Sequence, residues 1–145
     1  MKDLIAISGL MAMLAGGAQA QGVPDLRGTW LPSQTAHIVE GPTRHAQSGR
    51  EAVPGHETYQ RTTSRFVFRF EGQDGRTFWG VLSSTGVSER IVGALSVDGR
   101  RFVMTDEDGH FTGTVVDNDT LDYCYQHATP TNRAVACGLL TRQRP

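Results

Sequence analysis

The chain has 145 residues, with 14 lysines and arginines against 15 aspartates and glutamates and a formal net charge of −1. This length is typical of one domain, and the balanced charge argues against nucleic-acid binding, which requires clustered basic charge. Apolar residues are spread along most of the chain, which excludes a disordered protein. The 17 glycines indicate many tight turns.

Residues 1–20 have the pattern of a secretory signal peptide. Lys2 gives a positive start, residues 4–14 are mostly apolar, and Ala18-Gln19-Ala20 is a cleavage pattern of small residues. The apolar run is too short for a membrane span. We therefore expect a cleaved signal peptide over 1–20, one domain over 21–145, and a periplasmic or extracellular location. A buried N-terminal helix is the alternative.

The two cysteines, Cys124 and Cys137, lie in two predicted strands, 121–127 and 134–142. If the turn between these strands centres on Pro130, the cysteines face each other across the hairpin, close enough to bond. An oxidising compartment then makes a disulfide the expected state. The spacing does not suit a redox or zinc pair.

Beyond residue 63 the sequence alternates apolar and polar residues between turn signals and shows no helical period. The clearest case is the run with Phe66, Phe68 and Phe70 on one face. Predicted turns include 72–75, the Asp98-Gly99 pair and 106–109. The predicted strands are 64–71, 76–83, 88–97, 100–105, 110–116, 121–127 and 134–142.

Residues 25–40 form one more predicted strand, long and bent, which brings the total to eight. Sequential antiparallel strands without crossover helices favour an all-β fold, an eight-stranded antiparallel up-and-down barrel that closes on itself and leaves no exposed edge. An open sandwich is the alternative.

The segment 41–63 interrupts this pattern. It is polar, contains Gly41-Pro42 and Pro54-Gly55, and is predicted to be a long loop. Loops of this length are often lids or binding loops. A surface excursion without function is the alternative.

Gly28-Thr29-Trp30, at the start of the first strand, resembles the Gly-x-Trp signature of the calycin superfamily, which includes lipocalins and avidins. Arg142, at the end of the last strand, and the segment 41–63 match the positions of the lipocalin arginine and lid. The resemblance implies that Trp30 closes one end of a calycin-like barrel, with Arg142 packed over its ring in a cation–π contact.

Alternation also predicts which side chains face the interior. If the cysteines point outward, Leu121, Tyr123, Tyr125, His127, Ala136, Gly138, Leu140 and Arg142 point inward. The inward residues of the other strands are Phe66, Phe68, Phe70, Phe78, Leu82, Ile91, Leu95, Phe102, Met104, Phe111 and Val115. A barrel of eight strands is just wide enough to be filled by side chains or to hold one small ligand, and the sequence leaves both possibilities open.

The predicted open end carries the segment 41–63 and the turns at 84–86, 106–109 and 128–133. A mostly apolar pocket with a few polar groups is the usual small-molecule site. The candidate ligand-binding residues are those inward positions nearest this end: Phe66, Leu82, Met104, Phe111, Tyr125 and His127.

The sequence has no serine-hydrolase, zinc-protease or phosphate-loop motif. The five histidines have no metal-ligand spacing. His45 and His56 share the segment 41–63, where solvated histidines are expected, and the acidic run 106–109 lacks the twelve-residue pattern of a calcium loop. No catalytic residue, metal or cofactor is therefore predicted, although an enzyme that uses the barrel mouth stays open.

Two functions remain. The first is a non-enzymatic barrel that binds a small, mostly hydrophobic molecule at its open end. The second is a protein-interaction module, such as an inhibitor of a secreted hydrolase. Some bacterial protease inhibitors resemble small calycin-type barrels and act through a segment ahead of the first strand, for which only 21–24 is available here.

Overall fold

The computed structural model describes residues 22–42, 45, 49–62 and 64–144. The predicted signal peptide over 1–20 lies outside the described residues. Within them, no helix has the length and apolar character needed to cross a membrane.

Ten strands make up the described part of the chain. They are β1 (Gly28–Glu40), β2 (Arg50–Val53), β3 (His56–Thr62), β4 (Val67–Asp74), β5 (Thr77–Ser84), β6 (Val87–Leu95), β7 (Arg101–Thr105), β8 (His110–Asp117), β9 (Thr120–Ala128) and β10 (Arg133–Arg142).

Eight of these strands, β1 and β4 to β10, form a closed antiparallel barrel. Each strand from β4 to β9 pairs with the next one along the chain, and β1 closes the circle by pairing with both β4 and β10. Short polar turns allow this because they connect antiparallel neighbours without a crossover. The predicted all-β, eight-stranded up-and-down barrel is confirmed, and the described residues contain no α-helix.

The first strand is bent, as predicted. Its pairing with β10 shifts between Ser33 and Ala36, a bulge at which Gln34 takes a positive φ of 51°. On its other edge β1 pairs with β4 only from Gly28 to Trp30. Beyond Trp30 the β1–β4 ladder ends, which opens a gap in the barrel wall towards one end.

The segment 41–63 is not the uninterrupted loop that the sequence predicts. It contains the β2–β3 hairpin, turned at Pro54-Gly55, and β3 pairs with the far end of β1 through Val39 and Glu40. The hairpin is largely exposed on both faces, so it has no apolar alternation for sequence analysis to detect. The hairpin therefore lies beside the far end of β1, at the same end of the barrel as the gap.

A second correction concerns the predicted turn at 72–75. The chain reverses at Gly75 and Arg76, and β4 runs on to Asp74. A bulge between Phe70 and Gly72 changes the alternation in this strand, which hides its continuation from a strict period of two. Gly72 is needed there because a Cβ would lie 2.2 Å from the Trp79 ring.

The core confirms the predicted inward faces. The residues predicted to face inward on strands β4 to β8 are all buried in this core except Phe66 and Val115. These two are partly buried and pack against the core. Edge-to-face ring contacts link Trp30 to Phe70 at 6.2 Å and Phe70 to Phe78 at 5.1 Å. Aromatic side chains thus fill the barrel around Trp30.

Glycines also serve the core and not only the turns. Gly93 lies opposite Phe78 and Gly113 lies opposite Phe102, and a Cβ at either glycine would come within 2.3 Å of the facing ring. The missing side chain therefore makes room for the ring of the neighbouring strand. Such positions account for part of the high glycine content that the sequence assigns to turns.

The predicted disulfide joins β9 to β10. Cys124 and Cys137 are directly opposite in the register and are bonded. They alternate with inward residues such as Tyr123 and Ala136, so the bridge lies on the outer surface of the barrel.

Candidate functional site

The end of the barrel at Trp30 is closed. Trp30 is completely buried and its indole N–H donates to the carbonyl of Leu26 at 2.9 Å. The Arg142 guanidinium lies 4.2 Å from the indole centroid and donates to the backbone carbonyls of Asp25, Arg27 and Asn118. The segment before β1 is thereby held across the barrel floor, and Arg142 lies over the Trp30 ring as the resemblance implies.

The opposite end holds a cavity of about 640 Å³. This volume lies within the range of small-molecule pockets. The cavity opens where β1 and β4 separate, and its wall is mostly apolar. The apolar lining residues are Leu31, Pro32, Val39, Phe66, Val67, Phe68, Leu82, Phe111, Ala134 and Ala136. The barrel is thus filled with side chains at its closed end and hollow at its open end.

Five of the six predicted ligand-binding residues line this cavity: Phe66, Leu82, Phe111, Tyr125 and His127. Met104 does not. It points inward as predicted, but it lies opposite Gly93 and Phe111 and is buried in the packed core. Alternation fixes the direction of its side chain but not its depth in the barrel. Binding by the other five stays a prediction.

Tyr125 and His127 meet the turn between β7 and β8. The Tyr125 hydroxyl donates to Asp108 Oδ1 at 3.1 Å, and His127 Nδ1 lies 2.8 Å from the Asp108 carbonyl and 3.3 Å from Oδ1. His127 Nε2 is hydrogen-bonded to Asn132. Burial opposes the charged form of His127, but the hydrogen bonds to Asn132 and Asp108 outweigh it and raise the His127 pKa.

His45, which precedes β2, also lines the cavity. Its Nδ1 lies 2.7 Å from the Ser84 hydroxyl, and its Nε2 lies 2.9 Å from Oε2 of Glu89, whose side chain is 0% exposed. The ring also lies 5.3 Å from that of Phe66. The expectation that His45 is a solvated loop histidine is wrong, whereas His56 is exposed as expected.

Asp106 completes an acidic group on this side of the site. Carboxylate oxygens of Glu89, Asp106 and Asp108 lie within 4.8 Å of one another. Oδ1 of Asp106 accepts the N–H groups of Asp108 and Gly109. Burial raises the pKa of Asp106 against these hydrogen bonds, and the Asp108 charge adds to the rise. We call Glu89, Asp106 and Asp108 the acidic group.

His37 links the cavity wall to the hairpin. Its Nδ1 accepts the backbone N–H of Thr62 at 3.1 Å, which joins β1 to the end of β3. Both residues line the cavity. Burial lowers the pKa of His37, so the neutral ring that this hydrogen bond requires is favoured.

Sequence analysis missed His45, Glu89, Asp106 and Asp108 as parts of one site. A signal existed for Glu89, because it has the same parity as the inward Ile91 and Leu95. The turn at 106–109 lies at the open end of the barrel, as predicted. No sequence signal predicts that His45 lies against Glu89.

Comparison of the chain with family models, with curated proteins and with solved structures finds no match.

Proposed function

We propose that this protein is a calycin-like barrel that binds a small, mostly apolar molecule outside the cytoplasm. The observation that carries the proposal is the cavity of about 640 Å³ at the end of the barrel opposite Trp30. A filled interior would have argued against a carrier, since an eight-stranded barrel has no other internal space.

The lining supports a ligand with a large apolar part. The side chains of Phe66, Phe68, Leu82 and Phe111 all line the cavity. Burying apolar surface there contributes about 25 cal/mol per Å². Among the described lining residues, the carboxylates of Asp106 and Asp108 lie beside Tyr125 and His127, which favours one orientation of a bound molecule with a polar end.

The β2–β3 hairpin suits the role of a rim element. It is tied to the barrel through the β1–β3 pairing and the His37–Thr62 hydrogen bond. These few links permit local opening without loss of the barrel ladders. Entry of the ligand past this hairpin is part of the proposal.

The membership in the calycin superfamily is supported by the floor of the barrel, where Trp30 and Arg142 adopt the contact that the resemblance implies. The Cys124–Cys137 bridge is compatible with an oxidising periplasmic or extracellular compartment. Nucleic acid is not a suitable partner, because the net charge is −1.

The inhibitor alternative receives less support. An inhibitor that acts through an arm ahead of the first strand needs a free arm. Here the carbonyls of Asp25, Leu26 and Arg27 are bound by Trp30 and Arg142. Gln73 further binds Pro24 and Leu26.

Native mass spectrometry of the protein purified from its own host tests the proposal. We expect a non-covalent complex whose excess mass is that of a small molecule and which dissociates on denaturation. A stable complex with a secreted hydrolase, together with an unliganded cavity, would overturn the carrier function in favour of the inhibitor.

A further inference from the structure

The ionisable groups around the cavity are unevenly distributed. Asp106 and Asp108 line it on the side of Tyr125, and the third carboxylate of the acidic group, Glu89, lies directly behind them. Three carboxylates this close repel one another unless positive charge lies near them.

Two imidazoles of the described residues lie beside the acidic group. His45 pairs with Glu89, and His127 pairs with Asp108. No ion pair among the described residues includes Asp106, and its Oδ2 is shielded from solvent with no hydrogen-bond partner among them. A shielded carboxylate oxygen of this kind is costly, so an additional donor at this position would be strongly favoured.

The remaining basic groups on the cavity wall do not fill that role. Burial lowers the pKa of His37, whose Nδ1 already accepts a hydrogen bond from Thr62. Arg65 is exposed, and no ion pair of the described residues joins it to Asp106.

The charges of these carboxylates also act on Tyr125. Its pKa is raised, first by burial and then by the charges of Asp106 and Asp108. Its ring lies 4.5 Å from that of Phe111, so the acidic side directly adjoins the apolar wall. Aromatic faces beside carboxylates are a favourable environment for an organic cation.

We propose that the molecule bound in the cavity is an apolar amine, whose ammonium group lies beside Asp106 and Asp108 while its apolar part packs on Phe66, Leu82 and Phe111. This inference rests on the proposed function and names the class of its ligand. The ammonium supplies both positive charge and hydrogen-bond donors to the acidic side. An anionic ligand of the same shape would be repelled there.

The test compares three ligands that share one alkyl chain: decylamine, decanol and decanoate. Each is used at pH 7, in the presence of EDTA, to displace the neutral fluorescent probe N-phenyl-1-naphthylamine from the wild-type protein. EDTA removes divalent ions that could occupy the acidic group. We expect decylamine to bind about tenfold more tightly than decanol, as one charge-assisted hydrogen bond provides, and decanoate to bind most weakly.

Single-residue variants then test which side chains cause the preference for decylamine over decanol. Asp108→Asn and, separately, Asp106→Asn are expected to remove most of the advantage of decylamine, measured as the ratio of decylamine to decanol affinity in the same variant. Decanol binding also reports whether each variant is folded. The control is Asp117→Asn, which changes an exposed carboxylate at the end of β8, at the closed end of the barrel, and should preserve the preference.

Equal affinity for decylamine and decanol in the wild-type protein would overturn the amine inference and leave the proposed function standing. A preference for decylamine that survives in both Asp106→Asn and Asp108→Asn would also overturn it. Failure of the probe and of all three ligands to bind would instead contradict the proposed function itself.

Discussion

The guanidinium of Arg142 lies over the indole of Trp30, with Cζ 4.2 Å from the ring centroid, and joins the last strand of the barrel to the first. Trp30 is paired with Arg142 in the β1–β10 ladder and with Phe68 in the β1–β4 ladder. The contact therefore lies at the seam where the barrel closes, and the stability of the seam depends on it.

Replacement of Trp30 by alanine should destabilise the protein by about 3–5 kcal/mol, because it removes a fully buried ring from the barrel floor. Urea unfolding followed by circular dichroism measures the change. Trp79, whose residue is 46% exposed on the outer face of β5, is the matched control, and Trp79→Ala should cost much less. Equal losses in the two variants would mean that Trp30 does not close the barrel.

Arg142→Lys should cost about 2 kcal/mol although it preserves the charge. Lysine cannot reach the carbonyls of Asp25, Arg27 and Asn118 together, and each lost hydrogen bond contributes roughly 1 kcal/mol. Arg144→Lys is the control, since that side chain is largely exposed. Unfolding midpoints that are the same for both variants would contradict the proposed role of the guanidinium.

The Cys124–Cys137 bridge should protect both thiols from alkylation in the absence of reductant. Reduction should lower the free energy of unfolding by about 3 kcal/mol, as expected for a bond that closes a loop of this size. The double variant Cys124→Ser, Cys137→Ser should match the reduced protein and be insensitive to reductant. Alkylation of either cysteine in the untreated protein would show that the bridge is not formed.

The sequence specifies the barrel more completely than the site. Strand alternation follows from the pattern that a buried face imposes on its residues, and the position of Cys124 opposite Cys137 follows from the centre of the predicted hairpin turn. The Trp30–Arg142 contact is implied by the resemblance to the calycin superfamily. The β2–β3 hairpin escapes detection because neither of its faces is buried. The acidic group escapes detection because Glu89, on β6, meets Asp106 and Asp108, which follow β7, only in the folded barrel.

His37 should make the protein less stable in mild acid. Burial lowers its pKa in the folded state, so the unfolded state binds the proton more readily. The free energy of unfolding begins to fall as the pH drops below 6.5, the pKa of His37 in the unfolded state. It continues to fall until the pH reaches the lower pKa of His37 in the folded state. Protonation of Nδ1 also breaks the hydrogen bond from Thr62.

His127 has the opposite effect, because its raised pKa stabilises the folded state below its unfolded pKa, and that contribution is lost as pH rises through the folded value. The contribution of His37 is isolated by comparing Tm at pH 7.5 and pH 5.5 in the wild type and in His37→Gln, with His56→Gln, which changes an exposed histidine, as the control. The acid-induced decrease in Tm should be smaller in His37→Gln. A decrease of the same size in all three proteins would contradict the role of His37.

The hollow open end of the barrel is tested most directly by titration with N-phenyl-1-naphthylamine in a matched pair of variants on β10. Ala136 lines the cavity, whereas the neighbouring Val135 is exposed on the outer face. The wild type and Val135→Phe should bind one probe molecule saturably with the same affinity, and Ala136→Phe should lower that affinity about tenfold or more by filling the cavity. Unsaturable binding in the wild type, or equal affinity in Ala136→Phe, would contradict a ligand site inside the barrel.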